Sequence, residues 1–274
     1  MNAEQKVIGY FPEQLNPEGL AGWEGTITVP SGAVMIYVNE CANTNAPIPF
    51  AFNILDTNIP VFKKTEDYGQ KSDILFGKKL ACVGDSITEA SNPDGGYFKN
   101  YAEIVAERHN MMVYKDGKGG STMTNSEGHN PFCVTRYQNV PSDFDILTIW
   151  FGWNDAAYAQ VGTIDDTDDT TYYGAYKKVL DYYITTYPTK KIGLIVPYGA
   201  TTVEPFREAV RKLSEMYGVP CLDLADGKKC SLLWGTANNA QLARRAALTY
   251  DTTHPNQVGH EYLSTMYESF IKSL

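Results

Sequence analysis

LACVGDSITEAS (80–91) begins as an apolar run, breaks at Gly84-Asp85-Ser86, and resumes with residues suited to open a helix. A short apolar stretch that ends in such a turn reads as a strand buried on both faces. KLACVG (79–84) is therefore the first strand expected of a sheet, and Ser86 stands just past its carboxyl end. Whether that serine is a turn residue or a nucleophile depends on what the rest of the chain brings to it.

Outward from this stretch, strands and helices alternate. Tyr97, Phe98, Tyr101, Ile104 and Val105 recur at helical spacing. MMVYKDG (111–117) and DILTIWFG (145–152) give the second and third strands. YYGAYKKVLDYYITTY (172–187) carries Tyr172, Tyr176, Val179, Leu180, Tyr183 and Tyr187 along one side of a helix. KKIGLIVP (190–197) is the fourth strand; EPFREAVRKLSEMYG (204–218) is a helix that turns Phe206, Val210, Leu213 and Tyr217 inward. VPCLDL (219–224) is the fifth strand, and the last helix carries Val258, Tyr262, Met266 and Phe270. This alternation predicts an α/β domain over 75–274, a five-stranded parallel sheet covered by helices on both faces.

The first 74 residues read differently. GTITVPSGAVMIYVNE (25–40) and PFAFNIL (49–55) are short strands between Pro, Gly and Asn turns, followed by the polar connector KKTEDYGQKSD (63–73). A small all-β segment is expected there, either packed on the larger domain or part of a longer sandwich.

The net charge of −9 disfavours nucleic acid or an anionic membrane surface as partner. Five scattered cysteines without CxxC spacing argue against a disulfide framework and a zinc site, and Cys82 and Cys221 read as core residues. The opening MNAEQKVIGYFPEQ lacks the apolar centre of a signal peptide. No run approaches the ~18 apolar residues of a membrane span. A soluble chain is expected, with extracellular or virion placement open if it belongs to a larger protein.

In open parallel sheets ligands gather at the carboxyl ends of the strands. The residues after the first three strands are Gly84-Asp85-Ser86, Gly117 to Thr122, and Gly152-Trp153-Asn154-Asp155, all glycine-rich with small polar side chains. A nucleophilic serine needs a histidine base oriented by a carboxylate. Of the four histidines, His109 ends the first helix beside Arg108, and His129 sits in a loop that could line a cleft. His260 falls in the first turns of the last helix and reads as structural. Asp251 and His254, in YDTTHPNQVGH (250–260), are three apart in a turn pinned by Pro255, so one tight turn can present both. Oxyanion donors are available from the Ser86 N–H, a glycine of GKGGST (117–122) and the Asn154 amide.

These blocks in this order resemble the SGNH (GDSL-type) hydrolase family over about 200 residues, from Leu75 to Leu274. GDS (84–86) matches the nucleophile block, KGGST (118–122) the glycine block, GWND (152–155) the GxND block and DTTHP (251–255) the DxxHP block. Lys115-Asp116 stands where the glycine block usually opens with asparagine. The resemblance implies a flavodoxin-like three-layer α/β/α domain, no metal or other cofactor, and hydrolysis of small acyl esters through an acyl-enzyme. It implies Ser86, His254 and Asp251 as the triad. Ser86, Gly120 and Asn154 would form the oxyanion hole, with Gly119 as the alternative glycine. No GxSxG elbow occurs, against an α/β-hydrolase fold.

GTIDDTDDTTYYGAY (162–176) is similar to a loop in family members from Gram-positive bacteria and their phages, which often carry a β module ahead of the hydrolase domain. Its four aspartates fit no EF-hand and read as a solvated loop that starts a helix. Asp85, Trp153 and Tyr158 are candidate substrate contacts. The aromatic supply and the β segment favour an acyl group, chiefly acetyl, on a glycan. The alternatives are a lipase, arylesterase or thioesterase for small hydrophobic esters, and a catalytically idle carbohydrate-binding or phage structural module. A histidine base must be neutral to work, and an ordinary imidazole protonates near ~6.5, so activity should fall on the acid side.

Overall fold

The computed structural model describes residues 73–199, 201–226 and 238–274. The β segment expected at 1–74 lies, except for its last two residues, outside them.

Five strands form one parallel sheet: β1 (Lys79–Gly84), β2 (Met112–Gly117), β3 (Ile146–Trp150), β4 (Lys191–Val196) and β5 (Cys221–Asp223). Their order is β2-β1-β3-β4-β5, and every pairing is parallel. The chain leaves β1 toward one edge and returns to the other side of it with β3, so the order reverses at β1. Ligand crevices of doubly wound sheets open at such a point.

Side chains alternate across the sheet and create two cores. Ala81, Val83, Leu147, Ile149, Leu194 and Val196 face α4 (Tyr172–Thr186) and α5 (Glu204–Tyr217). Leu80, Cys82, Ile146, Trp150 and Ile195 face α2 (Tyr101–Arg108) and α7 (Gln257–Ser273). The result is the three-layer α/β/α architecture. On α4 the tyrosine stripe is buried as its spacing implies: Tyr172, Tyr176, Val179, Leu180 and Tyr183 are all inside. A buried Val or Leu side chain is worth roughly 1.5–3 kcal/mol, so this face alone is strongly held. In the second core Thr148 Oγ1 and Tyr267 OH satisfy each other at 2.7 Å.

Three features depart from the sequence reading. The first long helix begins at Tyr101, because Asn100 caps it: its Oδ1 accepts from the Ala102 and Glu103 N–H groups, and Glu103 reaches back to the Asn100 N–H. Tyr97 lies outside the helix, in an isolated bridge with Ser91. On α7 the buried stripe is His260, Leu263, Ser264, Tyr267, Phe270 and Ile271, and Val258 is exposed. Finally, α6 (Asn239–Leu248) precedes the histidine turn; of its residues Leu248 alone is buried, so it offers no apolar stripe to read. His109 caps α2, as its position suggested, and also pairs with Asp73 at 2.6 Å.

Candidate active site

Two short helices stand directly on the strand ends: α1 (Ser86–Glu89) after β1 and α3 (Asp155–Tyr158) after β3. Gly117, at the end of β2, makes the first approach possible. A Cβ there would lie 2.1 Å from the Glu89 N atom and 2.5 Å from the Thr88 carbonyl carbon. A side chain at 117 would therefore push α1, and the serine it carries, off the sheet.

Ser86 is the first residue of α1. Its Oγ lies 2.8 Å from His254 Nε2, across 168 residues of chain. His254 Nδ1 lies 2.6 Å from Asp251 Oδ2. A carboxylate only accepts, so Nδ1 carries the proton and Nε2 is left to accept from the serine hydroxyl. The other Asp251 oxygen accepts from the backbone N–H groups of Thr253 and His254, at 3.0 and 2.7 Å. Partial burial works against ionisation of Asp251, but those two N–H groups and the imidazole outweigh it and hold the carboxyl below the usual aspartate range.

The turn is tied at its base. Thr249 bridges Pro255, the Tyr250 N–H donates to the His254 carbonyl at 3.1 Å, and Tyr198 OH donates to the Thr253 carbonyl at 2.9 Å. The Tyr250 ring stacks on the imidazole with planes 16° apart. Within this frame Thr252 takes φ 73°, an uncommon value for a β-branched residue.

The glycine block packs against α3. Asn154 Nδ2 donates to the Ser121 carbonyl at 2.9 Å, which spends one of its two amide hydrogens and orients the other. Glu89 Oε2 accepts from the Gly119 N–H at 2.9 Å, so that donor is already engaged. Gly120 follows at φ 72°, a conformation that favours glycine.

Asp155, which the motif reading passed over except as a letter of its block, holds these loops together. It is buried, and accepts from the Met123 N–H (3.1 Å), the Thr124 N–H (2.9 Å) and the Thr124 hydroxyl (2.9 Å). Burial nevertheless pushes its carboxyl up to about 6. Arg136 was also missed: it pairs with Asp116 at 3.0 Å and donates to the Asn130 carbonyl at 2.9 Å, bracing the same loop from behind. Nothing local in the sequence signals that partnership, whereas Asp155 could have been suspected from its place beside Asn154.

Of the candidate substrate contacts, Asp85 must be corrected. Its side chain is turned into the protein, 1% exposed, where it caps α1 by accepting from the Ile87 N–H at 3.0 Å. Burial raises its carboxyl to about 7 despite that bond. Trp153 is half-buried and packs against both cores. Tyr158 is exposed, and its ring lies 3.8 Å from that of His129. In the 162–176 loop, Asp166 accepts from Thr163, Asp168 from Thr170, and Asp169 pairs with Lys178. Cys82 is buried, whereas Cys221 is only half-buried.

A five-stranded α/β/α domain with a serine–histidine–aspartate chain at its strand ends defines a hydrolase of the GDSL class. The model of the GDSL-like Lipase/Acylhydrolase family matches residues 82–262, more than half of the chain, and the protein belongs to that family. No curated protein sequence matches it. Among solved structures it is similar to a protein from Lactobacillus plantarum at 28% identity, covering 72% of this chain and 98% of that one with a TM-score of 0.59. A GDSL-like lipase from Bacteroides ovatus shares the fold at 18% identity, covering 72% of this chain and 99% of that one, TM-score 0.52. So does a family two carbohydrate esterase from Clostridium thermocellum, solved with cellohexaose, at 18% identity over 72% of this chain and 64% of that one, TM-score 0.52. Among the described residues no helix is long and apolar enough to cross a membrane.

Proposed function

We propose that this family member is a serine esterase that removes short acyl groups, chiefly acetyl, from carbohydrate. The observation that carries the reading is the unbroken Ser86–His254–Asp251 chain at 2.8 and 2.6 Å. Ser86 Oγ attacks the ester carbon as His254 Nε2 takes its proton. Asp251 holds the imidazole in the required tautomer and stabilises the cation that forms. The negative charge that develops on the carbonyl oxygen meets the Ser86 N–H, the Gly120 N–H and the free hydrogen of the Asn154 amide. Gly120 is preferred to Gly119 because Glu89 already occupies the Gly119 donor. The imidazolium then protonates the departing alkoxide. Water, deprotonated by the same nitrogen, attacks the acyl-serine; the intermediate collapses, Ser86 recovers its proton and the carboxylic acid leaves.

The glycan assignment draws on the exposed Tyr158 ring, stacked on the half-buried His129 beside the oxyanion loops. The Clostridium thermocellum protein, at the level of fold, is an instance of this architecture serving carbohydrate esters.

The test is acetate release from a panel of acetylated polysaccharides by wild type and Ser86→Ala. Acetate from wild type alone supports the proposal. Activity that grows steadily with acyl length on small esters, with no acetate from any glycan, favours the lipase-type alternative. Equal traces from both proteins favour an idle module.

A further inference from the structure

A groove of about 610 Å³ opens beside the strand ends, within the size range of small-molecule sites. One wall is Asn125 to His129, the other Ala156 to Gln160, with Thr170 at one end. Both walls are continuations of the loops that carry the oxyanion donors. Asn125 follows Thr124, whose N–H and hydroxyl Asp155 holds, and Ala156 lies two residues beyond Asn154. The buried Asp155 carboxylate thus ties one wall of the groove to the other, beside Asn154.

We propose that this groove is the subsite for the alcohol part of the ester, and that it receives one neutral pyranose ring on the open face of Tyr158, whose other face rests on His129. The inference rests on the esterase reading above and specifies its substrate. Tyr158 is 56% exposed, so core packing does not explain its position. Its ring lies on the imidazole of His129 at 3.8 Å with planes 21° apart, which holds both rings in one orientation. Rigid, amphipathic aromatic faces bind flat apolar surface at little conformational cost, and the C–H face of a pyranose is such a surface. Around that face stand Asn125, Glu127, Gln160 and Thr170, donors and acceptors suited to the ring hydroxyls. An aliphatic chain would offer those groups no hydrogen-bond partner. The lining includes Glu127 and no lysine or arginine, and the chain carries a net charge of −9, so uronic acids are disfavoured against neutral sugars.

The experiment compares kcat/KM on acetylated xylo-oligosaccharides with kcat/KM on ethyl acetate, whose alcohol is too small to span the groove. Wild type, Tyr158→Ala, Tyr158→Phe and His129→Ala are measured on both. In Tyr158→Ala the ratio of glycan to ethyl acetate activity should fall about tenfold, mainly through KM. Tyr158→Phe, which keeps the ring, should hold the ratio within about twofold, and His129→Ala should lower it by a smaller factor. An unchanged ratio in Tyr158→Ala overturns the subsite. So does wild-type activity on ethyl acetate with none on acetylated xylan, mannan or chitin oligosaccharides, while the esterase reading stands. Wild type no faster than Ser86→Ala on ethyl acetate as well as on every glycan would remove the esterase reading itself.

Discussion

His260 stands in the core with none of its surface exposed, between the rings of Phe98 and Tyr101, and neither ring nitrogen has a hydrogen-bond partner among the described residues. Burial, reinforced by the charges of Lys115 and His254, pushes its pKa from 6.5 down to about 3. The folded protein therefore keeps this imidazole neutral at a pH where the unfolded chain protonates it. Stability is unaffected above about pH 6.5 and is lost as pH falls. The loss is about 1.4 kcal/mol for each pH unit below that point, so roughly 2 kcal/mol has gone by pH 5. His260→Leu removes the titration and keeps an apolar side chain of similar size. Urea denaturation of wild type and variant at pH 7.5, 6 and 5 should show the wild type losing about 2 kcal/mol more than the variant over that range. For a domain of this size that is about 4–8 °C in Tm. Asp85 acts in the opposite sense: its pKa is raised by burial to about 7, so its contribution falls as pH rises through the range between its unfolded and folded values. Because it is common to both proteins, it cancels in the difference. Parallel pH profiles for wild type and variant would refute the reasoning.

Three other outcomes are expected. Asn154→Ala should lower kcat by about 10²–10³ with a smaller effect on KM, in stopped-flow or steady-state assays on a short-chain ester, because it removes the donor proposed to meet the developing charge. Gly117→Ala should destabilise the domain by about 3 kcal/mol in urea titration, because the added methyl meets backbone of α1 that cannot move aside; a change under about 0.5 kcal/mol would mean that α1 does not rest on β2. Thr252→Asn should raise Tm by about 2–4 °C, because asparagine tolerates the left-handed backbone of the histidine turn better than a β-branched residue does.

The parts of this domain that were legible beforehand are those whose information is local. β1, β3 and β4 are buried on both faces and announce themselves as nearly continuous apolar runs. The tyrosine stripe of α4 follows from its spacing. The start of α2 was also written in the chain as Asn100 with Glu103 three residues on, but the aromatic pair Tyr97-Phe98 looked like an earlier turn of helix. On α7 Phe270 is buried and Tyr262 and Met266 pack against the core as read, but Val258 is exposed, and the stripe also holds His260 and Ser264, which an apolar pattern skips. At the site, the candidate residues could be named because each block carries its own spacing. The burial of Asp85, the clamp of Asp155 on the glycine loop and the brace from Arg136 depend on which loops meet, and a one-dimensional pattern does not record that.

Asp251 and His254 come prefolded in one turn tied by its own backbone, whereas Ser86 opens the short helix that follows β1. Besides the Ser86–His254 contact, the turn is held by Tyr198 OH on the Thr253 carbonyl and by α7, whose Tyr267 meets Thr148 of β3. The reach between serine and imidazole is therefore set by how α7 and the histidine turn seat on the sheet. Because α7 closes one core of the sheet, loosening it should cost activity and the packing of that core together.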